Sequence, residues 1–158
     1  MRRLLKFRQD KDGKVHAKFE YRDEQKDTVD TITFESNDQP KQQLADALQN
    51  MAQYLVEHAE LPESWISEIT VRGVTVTWSN DIQGLVITGL RELANSNSPL
   101  VINSPHYTEE PYNDDDDLDI GVFGLMCKQD LNRLSELVFA YIDGDRAQQE
   151  FDFDEGVG

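Results

Sequence analysis

The chain has little cysteine, little proline and no long apolar run: 158 residues contain one cysteine and five prolines. Because a disulfide needs two cysteines, Cys127 cannot form one within the chain, which favours a reducing compartment. No apolar stretch approaches the roughly 20 residues of a transmembrane helix. The N-terminal MRRLLKF is basic but has no apolar segment behind it. We therefore expect a cytoplasmic protein that contacts no membrane.

Sequence motifs typical of enzymes are also missing. The chain has no G-x-S-x-G, phosphate-binding loop, G-x-G-x-x-G or H-E-x-x-H. His16, His58 and His106 lie far apart in the sequence and do not have the spacing of zinc ligands. Ser104 precedes His106 by two residues, but catalytic triads are defined by three groups in a fixed geometry. We predict a protein that is not an enzyme and has no cofactor.

Positive charge is scarce. The chain has 15 Lys and Arg against 31 Asp and Glu, a net charge of −16. Residues 1–30 contain nine basic and seven acidic residues, so residues 31–158 contain six basic and 24 acidic ones. Such a charge balance repels nucleic acid and anionic membranes. We predict no direct tight binding of nucleic acid, and a partner protein with a basic nucleic-acid-binding surface.

Apolar periodicity predicts a single α+β domain over residues 1–145. Alternation around Asp12-Gly13 predicts a hairpin, and further strands are expected at Val29–Glu35, Ile69–Trp78 and Leu100–Asn103. Helical spacing predicts helices over residues 40–59 and about 128–143.

Residues 81–94 fit two patterns. The run LVIT is typical of a strand, whereas a helix would place five apolar residues on one side: Ile82, Leu85, Val86, Leu90 and Leu93. Two glycines in this segment weaken a helix. We prefer the helix, which gives the order β-β-β-α-β-α-β-α with an antiparallel sheet and about three helices.

The N-terminal hairpin is the basic part of the chain. Phe7, Phe19 and Tyr21 alternate with its lysines and arginines, a pattern that could suggest stacking on bases. A half-buried sheet produces the same alternation, with aromatic side chains inside and lysines outside. We favour that second interpretation.

Acidic residues are concentrated between residues 109 and 119. The candidate partner-binding set there is Glu109, Glu110, Asp114, Asp115, Asp116, Asp117 and Asp119. Four adjacent aspartates lack the alternating ligands of a Ca²⁺ loop, so we expect a solvated loop and no metal site. Carboxylates on a folded scaffold can replace phosphates, which gives the hypothesis of a DNA mimic that inhibits a DNA-binding or defence protein. The alternative is that the charge serves only solubility.

The C-terminal segment, residues 146–158, is expected to be a flexible acidic tail. Its residues Gln149-Glu150-Phe151-Asp152-Phe153 resemble the short peptide by which bacterial replication and repair proteins dock on the β sliding clamp. The resemblance implies that Gln149 enters a polar subsite while Phe151 and Phe153 fill an apolar pocket, although Phe151 stands where Leu is favoured. The other interpretation is that both phenylalanines fold back onto the domain.

Three stretches resemble a family of small acidic proteins of tailed bacteriophages and prophages. They read ITVRGVTVTWSNDIQGLVITGL, SPLVINSPHYTEEPY and AYIDGDRAQ, and the resemblance covers about residues 60–150. It implies a non-enzymatic interaction protein that acts on nucleic-acid machinery in the host cytoplasm, so the expected partner is a host or phage protein. Two roles follow as hypotheses: the DNA-mimic inhibitor, or an accessory factor of phage replication or recombination that docks on the sliding clamp.

Overall fold

The computed structural model describes residues 1–110 and 120–147, which form one antiparallel sheet and three α-helices. The elements in chain order are β1 Arg2–Gln9, β2 Val15–Asp23, β3 Thr28–Ser36, α1 Gln42–Gln49, α2 Ala52–His58, a 3₁₀ helix Glu63–Glu68, β4 Ile69–Ser79, β5 Ile82–Arg91, β6 Leu100–Asn103, β7 Tyr107–Thr108 and α3 Leu125–Ile142. The predicted α+β class is confirmed. No helix in these two ranges is long and apolar enough to cross a membrane.

The N-terminal hairpin lies at the centre of the fold. The strand order is β3-β2-β1-β4-β5-β6, and β7 pairs with β5 beyond the end of β6. Strand β1 therefore has β2 on one side and β4 on the other, and each of these pairs is antiparallel. This arrangement brings the basic hairpin against the strongest strand of the sequence.

The helices cover one face of the sheet. Leu44, Leu48, Met51 and Leu55 of the predicted apolar stripe are all buried, as are Leu131, Leu134, Val138 and Tyr141 of α3. Phe139 of α3 meets Phe19 of β2 edge to face, with ring centroids 5.5 Å apart. The single helix predicted over residues 40–59 is divided into α1 and α2 at Asn50 and Met51.

The helix that we preferred for residues 81–94 is wrong: Ile82–Arg91 is strand β5, in register with β4. The packing around β5 leaves little room for a side chain at Gly84 or Gly89. A Cβ at Gly89 would lie 2.7 Å from side-chain carbons of Ile69 and Leu55, and one at Gly84 would lie 2.2 Å from Thr77 Oγ1. Close packing of neighbours requires glycine at both positions, and the pairing with β4 overrides the helical spacing.

A bulge in β1 shifts the buried face of the hairpin. The register between β1 and β2 slips between Leu4 and Lys6, so Leu4 and Phe7 are buried. Strict alternation without the bulge would bury Leu5, and not Leu4, on the side of Phe7. A bulge adds one residue to one strand and moves the following side chains to the opposite face.

The C-terminal end of the described chain is bonded to the domain. The Ala147 amide donates to the Gln39 carbonyl at 3.0 Å. The Arg146 guanidinium donates to Asp38 at 2.6 Å and lies over the rings of Phe34 and Tyr141. Arg146 and Ala147, the first two residues of the expected tail, therefore contact the domain. Residues 148–158 lie outside the described part.

Leu134 tests the position of α3. Its side chain is fully buried, whereas Leu125 on the same helix is 69 % exposed. Leu134→Ala should lower the free energy of unfolding by about 2–5 kcal/mol because it leaves a cavity. Leu125→Ala, the matched control, should have little effect. Similar losses in urea denaturation of the two variants would contradict this packing.

The burial of His58 predicts that the protein loses stability in acid. Its ring stacks on Tyr107 with centroids 3.9 Å apart, and its Nδ1 has no hydrogen-bond partner among the described residues. Burial lowers the pKa of His58 to about 4. His58 therefore binds a proton more readily in the unfolded chain than in the folded one. The stabilisation of the folded state by neutral His58 is complete above about pH 6.5 and is lost as the pH falls towards 4. Thermal melts should show a smaller decline for His58→Phe over this window, and parallel declines would contradict the burial.

Candidate functional site

The face of the sheet opposite the helices is polar and exposed. Along β1, β2 and β4, side chains alternate between buried apolar residues under the helices and polar residues on the other side, where β5 adds Val86 and Leu90. We call this second side the open face. Lys6 and Arg8 of β1 and Lys18 of β2 lie on it, and each is exposed.

Cross-strand pairing orders the open face into two rows. The first row, from β3 to β6, consists of Glu35, His16, Arg8, Gly73, Thr88 and Asn103. The second row, from β3 to β5, consists of Thr33, Lys18, Lys6, Thr75 and Val86. Neighbours in a row lie about 5 Å apart, and the rows are separated by about 7 Å along the strands.

Lys6, Arg8 and Lys18 form the cation cluster. Lys6 and Lys18 are directly opposite each other in the register of β1 and β2, and Arg8 follows Lys6 on the same side of β1. None of the three has an ion-pair partner within 4.0 Å among the described residues, although the chain has a large excess of carboxylates. Like charges directly opposite each other destabilise a sheet. The opposition of Lys6 and Lys18 therefore does not stabilise the sheet, and unfavourable local arrangements of this kind are common in functional sites.

The carboxylates at the margin of the cluster are occupied by other groups. Glu35 lies 3.2 Å from Lys14 Nζ and 3.2 Å from His16 Nδ1, and Asp10 lies 3.4 Å from His16 Nε2. Hydrogen bonds from Lys14 and His16 lower the pKa of Glu35 below its usual range. One more carboxylate, Glu20, lies on the open face two residues beyond Lys18. The cluster thus keeps a local excess of positive charge.

Two depressions flank β1 on the open face. One, of about 220 Å³, is lined by Lys6, Arg8, His16, Ala17, Lys18 and Thr33. The other, of about 300 Å³, is lined by Lys6, Phe7, Arg8, Gly73, Val74, Thr75, Val86, Thr88 and Asn103. Lys6 and Arg8 border both depressions, so an anion seated on β1 could place attached groups on either side.

The aromatic residues of the hairpin do not lie on the open face. Phe7 is 1 % exposed and Phe19 6 % exposed, both under the helices. Tyr21 follows Phe19 on that same side, where it is 42 % exposed. The interpretation with aromatic side chains inside and lysines outside is confirmed, and it excludes these two phenylalanines as a stacking platform for bases.

The acidic set predicted from the sequence is only partly within the described residues. Glu109 is a structural residue: it accepts a hydrogen bond from the Gln83 amide at 2.8 Å and lies 3.0 Å from Lys128 Nζ, with its side chain 11 % exposed. Glu110 is exposed, and its carbonyl accepts a bond from Thr108. Residues 111–119, with the four aspartates and Asp119, and residues 148–158, with Gln149, Phe151 and Phe153, lie outside the described part.

Cys127 and His106, two side chains with reactive groups, have structural roles in the described part of the chain. Burial raises the pKa of the Cys127 thiol to about 12, so the thiol stays protonated at neutral pH. His106 Nε2 lies 2.8 Å from Thr77 Oγ1, across the gap left by Gly84, which fixes the segment before β7 against β4. Within residues 1–110 and 120–147, no group of three His, Cys, Asp or Glu is placed to hold a metal ion.

Comparisons with protein-family models, curated proteins and solved structures gave no significant match for this chain. The cation cluster therefore has to be interpreted from its own geometry.

The cation cluster predicts a gain in stability on neutralisation. Lys18→Thr removes the charge opposite Lys6 and should raise the free energy of unfolding by about 0.2–1 kcal/mol. Lys14→Thr is the matched control, because it removes a lysine that is paired with Glu35. Urea denaturation at low ionic strength should separate the two variants, and salt should reduce the difference by screening. A loss of stability in Lys18→Thr would contradict the repulsion.

Proposed function

We propose that this protein is a non-enzymatic accessory factor of nucleic-acid machinery whose open sheet face contacts the phosphates of a single strand. The observation that carries the proposal is the cation cluster: Lys6, Arg8 and Lys18 are adjacent and exposed, and the described residues offer them no carboxylate partner. Lysine and arginine are the side chains that neutralise phosphates, and neutralisation releases counterions from the nucleic acid.

The contact is weak and depends on salt. Three cations release few counterions, the net charge of −16 repels the strand, and Phe7 and Phe19 are turned away from it. We expect binding weaker than about 1 µM at about 150 mM salt, in keeping with the sequence-based expectation of no tight binding. A protein with such a contact needs a second interaction to hold it at its place of action.

Acidic elements are suited to that second interaction. The three α-helices and the 3₁₀ helix contain six acidic and two basic residues, on the side of the sheet away from the cation cluster. A partner with a basic nucleic-acid-binding surface would be attracted to this side.

Docking on the sliding clamp through Gln149, Phe151 and Phe153 is the form of the second interaction that we propose.

The DNA-mimic hypothesis stays a prediction with less support. Of its candidate contacts, Glu109 is bonded to Gln83 and Lys128 and is mostly buried, so it is not available to imitate a phosphate. The cation cluster also interrupts the continuous negative surface that mimicry needs. An accessory role uses both signs of charge, which is why we favour it.

A nucleic-acid surface explains the open face better than a membrane surface. Membrane binding by charge takes clusters of about four to eight basic residues, often with exposed apolar or aromatic side chains. The open face offers three clustered cations, which is fewer than such a surface takes. Vesicles with phosphatidylserine provide the direct test of the competing interpretation.

The salt dependence of strand binding tests the proposal. Fluorescence anisotropy with a labelled oligo(dT) should give a slope of log K against log salt of about −2 for the wild type, from about 0.7 per neutralised phosphate. The triple variant Lys6→Gln, Arg8→Gln, Lys18→Gln should lose most of the binding and of this slope. Circular dichroism should show that the variant is folded, because all three residues are exposed.

A control of equal charge separates the site from net charge. Lys11→Gln, Lys26→Gln, Arg133→Gln also removes three exposed cations that have no described ion pair, in two turns and on α3. This variant should keep the slope. If both triple variants lose binding equally, or if only phosphatidylserine vesicles bind the wild type, the proposal is wrong.

A further inference from the structure

The depression of about 300 Å³ beside Gly73 has features of a site for a larger group than a phosphate. It lies next to Lys6 and Arg8, and its far wall is formed by Val86, Thr88 and Asn103. One side of it is therefore cationic, and the other offers an apolar contact and an amide. A phosphate alone would not use that second wall.

The shape of the depression follows from Gly73. This residue stands at a bulge of β4 and opposite Arg8 of β1, where a Cβ would lie 2.5 Å from the Phe7 carbonyl oxygen. The close approach of the two backbones requires glycine. As a result, no side chain at position 73 covers the floor between β1 and β5.

The orientation of Asn103 is fixed by its neighbour. The Thr88 hydroxyl donates to Asn103 Oδ1 at 2.6 Å, which uses the carbonyl side of the amide. Asn103 Nδ2 has no hydrogen-bond partner among the described residues, so its two N–H groups are available to a carbonyl or ring-nitrogen acceptor. Asn103 and Thr88 lie in the same row as Arg8.

We propose that this depression is a subsite for one nucleotide unit of a single strand. The phosphate lies on Arg8 and Lys6, and the base enters the depression, contacts Val86 and accepts a hydrogen bond from Asn103 Nδ2. Every base offers such an acceptor, so the subsite detects the presence of a base more than its identity. This inference rests on the proposed function and adds a base contact to the contact with phosphates.

Comparison of a normal and an abasic strand tests the subsite. The probes are oligo(dT) of about 12 nucleotides, within the range of known single-strand footprints, and an abasic strand of equal length. The wild type should bind oligo(dT) about threefold to tenfold more tightly, as expected for one hydrogen bond and an apolar contact. Asn103→Leu should reduce this preference to what the apolar contact with Val86 alone gives, without weakening the binding of the abasic strand. Asn97→Leu, in an exposed turn, is the matched control and should keep the preference.

The outcomes separate the subsite from the proposed function. Equal binding of both strands by the wild type, or an unchanged preference in Asn103→Leu, overturns the subsite while the dependence on the cation cluster can still hold. Absence of salt-dependent binding to either strand overturns both. Thymidine monophosphate that competes as well as the strand, mole for mole, would assign the depression to a free nucleotide and contradict its place in a strand.

Discussion

The whole arrangement depends on the one-sided covering of the sheet by its helices. Because strand side chains alternate with period two, apolar residues that pack under α1, α2 and α3 force their neighbours in sequence onto the opposite side. Burial of Phe7 and Phe19 therefore presents Lys6, Arg8 and Lys18 together on the open face. The packing that stabilises the domain also creates the cation cluster.

The predictable part of the fold is the part whose local pattern agrees with its tertiary contacts. The hairpin around Asp12-Gly13 and the stripe from Leu44 to Leu55 are confirmed, since alternation in β2 and helical spacing in the stripe match the buried faces. Only the bulge in β1 departs from the pattern, because it buries Leu4 and not Leu5. The segment 82–91 was not predictable in this way. Its apolar residues fit a helix, and only the pairing with β4 explains why Gly84 and Gly89 occur there.

The candidate site could be predicted only in part. The basic, alternating hairpin indicates that lysines share one side of it, but the sequence does not show that β4 pairs with β1. That pairing brings Thr75 and Gly73 beside Lys6 and Arg8, and β5 then adds Thr88. Conversely, Glu109 was predicted to bind a partner because acidic residues surround it in the sequence. The structure pairs it with Lys128, a contact that the sequence does not reveal.

The charge distribution suits the proposed function in two ways that a uniformly charged surface would not. In the function that we propose, a net charge of −16 keeps the protein from binding nucleic acid strongly, and the cation cluster gives the strand its place of contact. Contact of this kind is reversible and sensitive to ionic strength, which suits a protein held in position by a partner. On this proposal, the unfavourable opposition of Lys6 and Lys18 is the cost in stability of keeping that contact.

The most direct test of this account is a titration of the ¹⁵N-labelled protein with oligo(dT), followed by amide chemical shifts in NMR. Binding at the open face predicts shift changes that are confined to β1, β2, β4 and β5, with the largest around Lys6, Arg8 and Gly73. Changes centred on α1, α2 and α3, or on the turn at Lys26, would contradict the assignment of function to the open face.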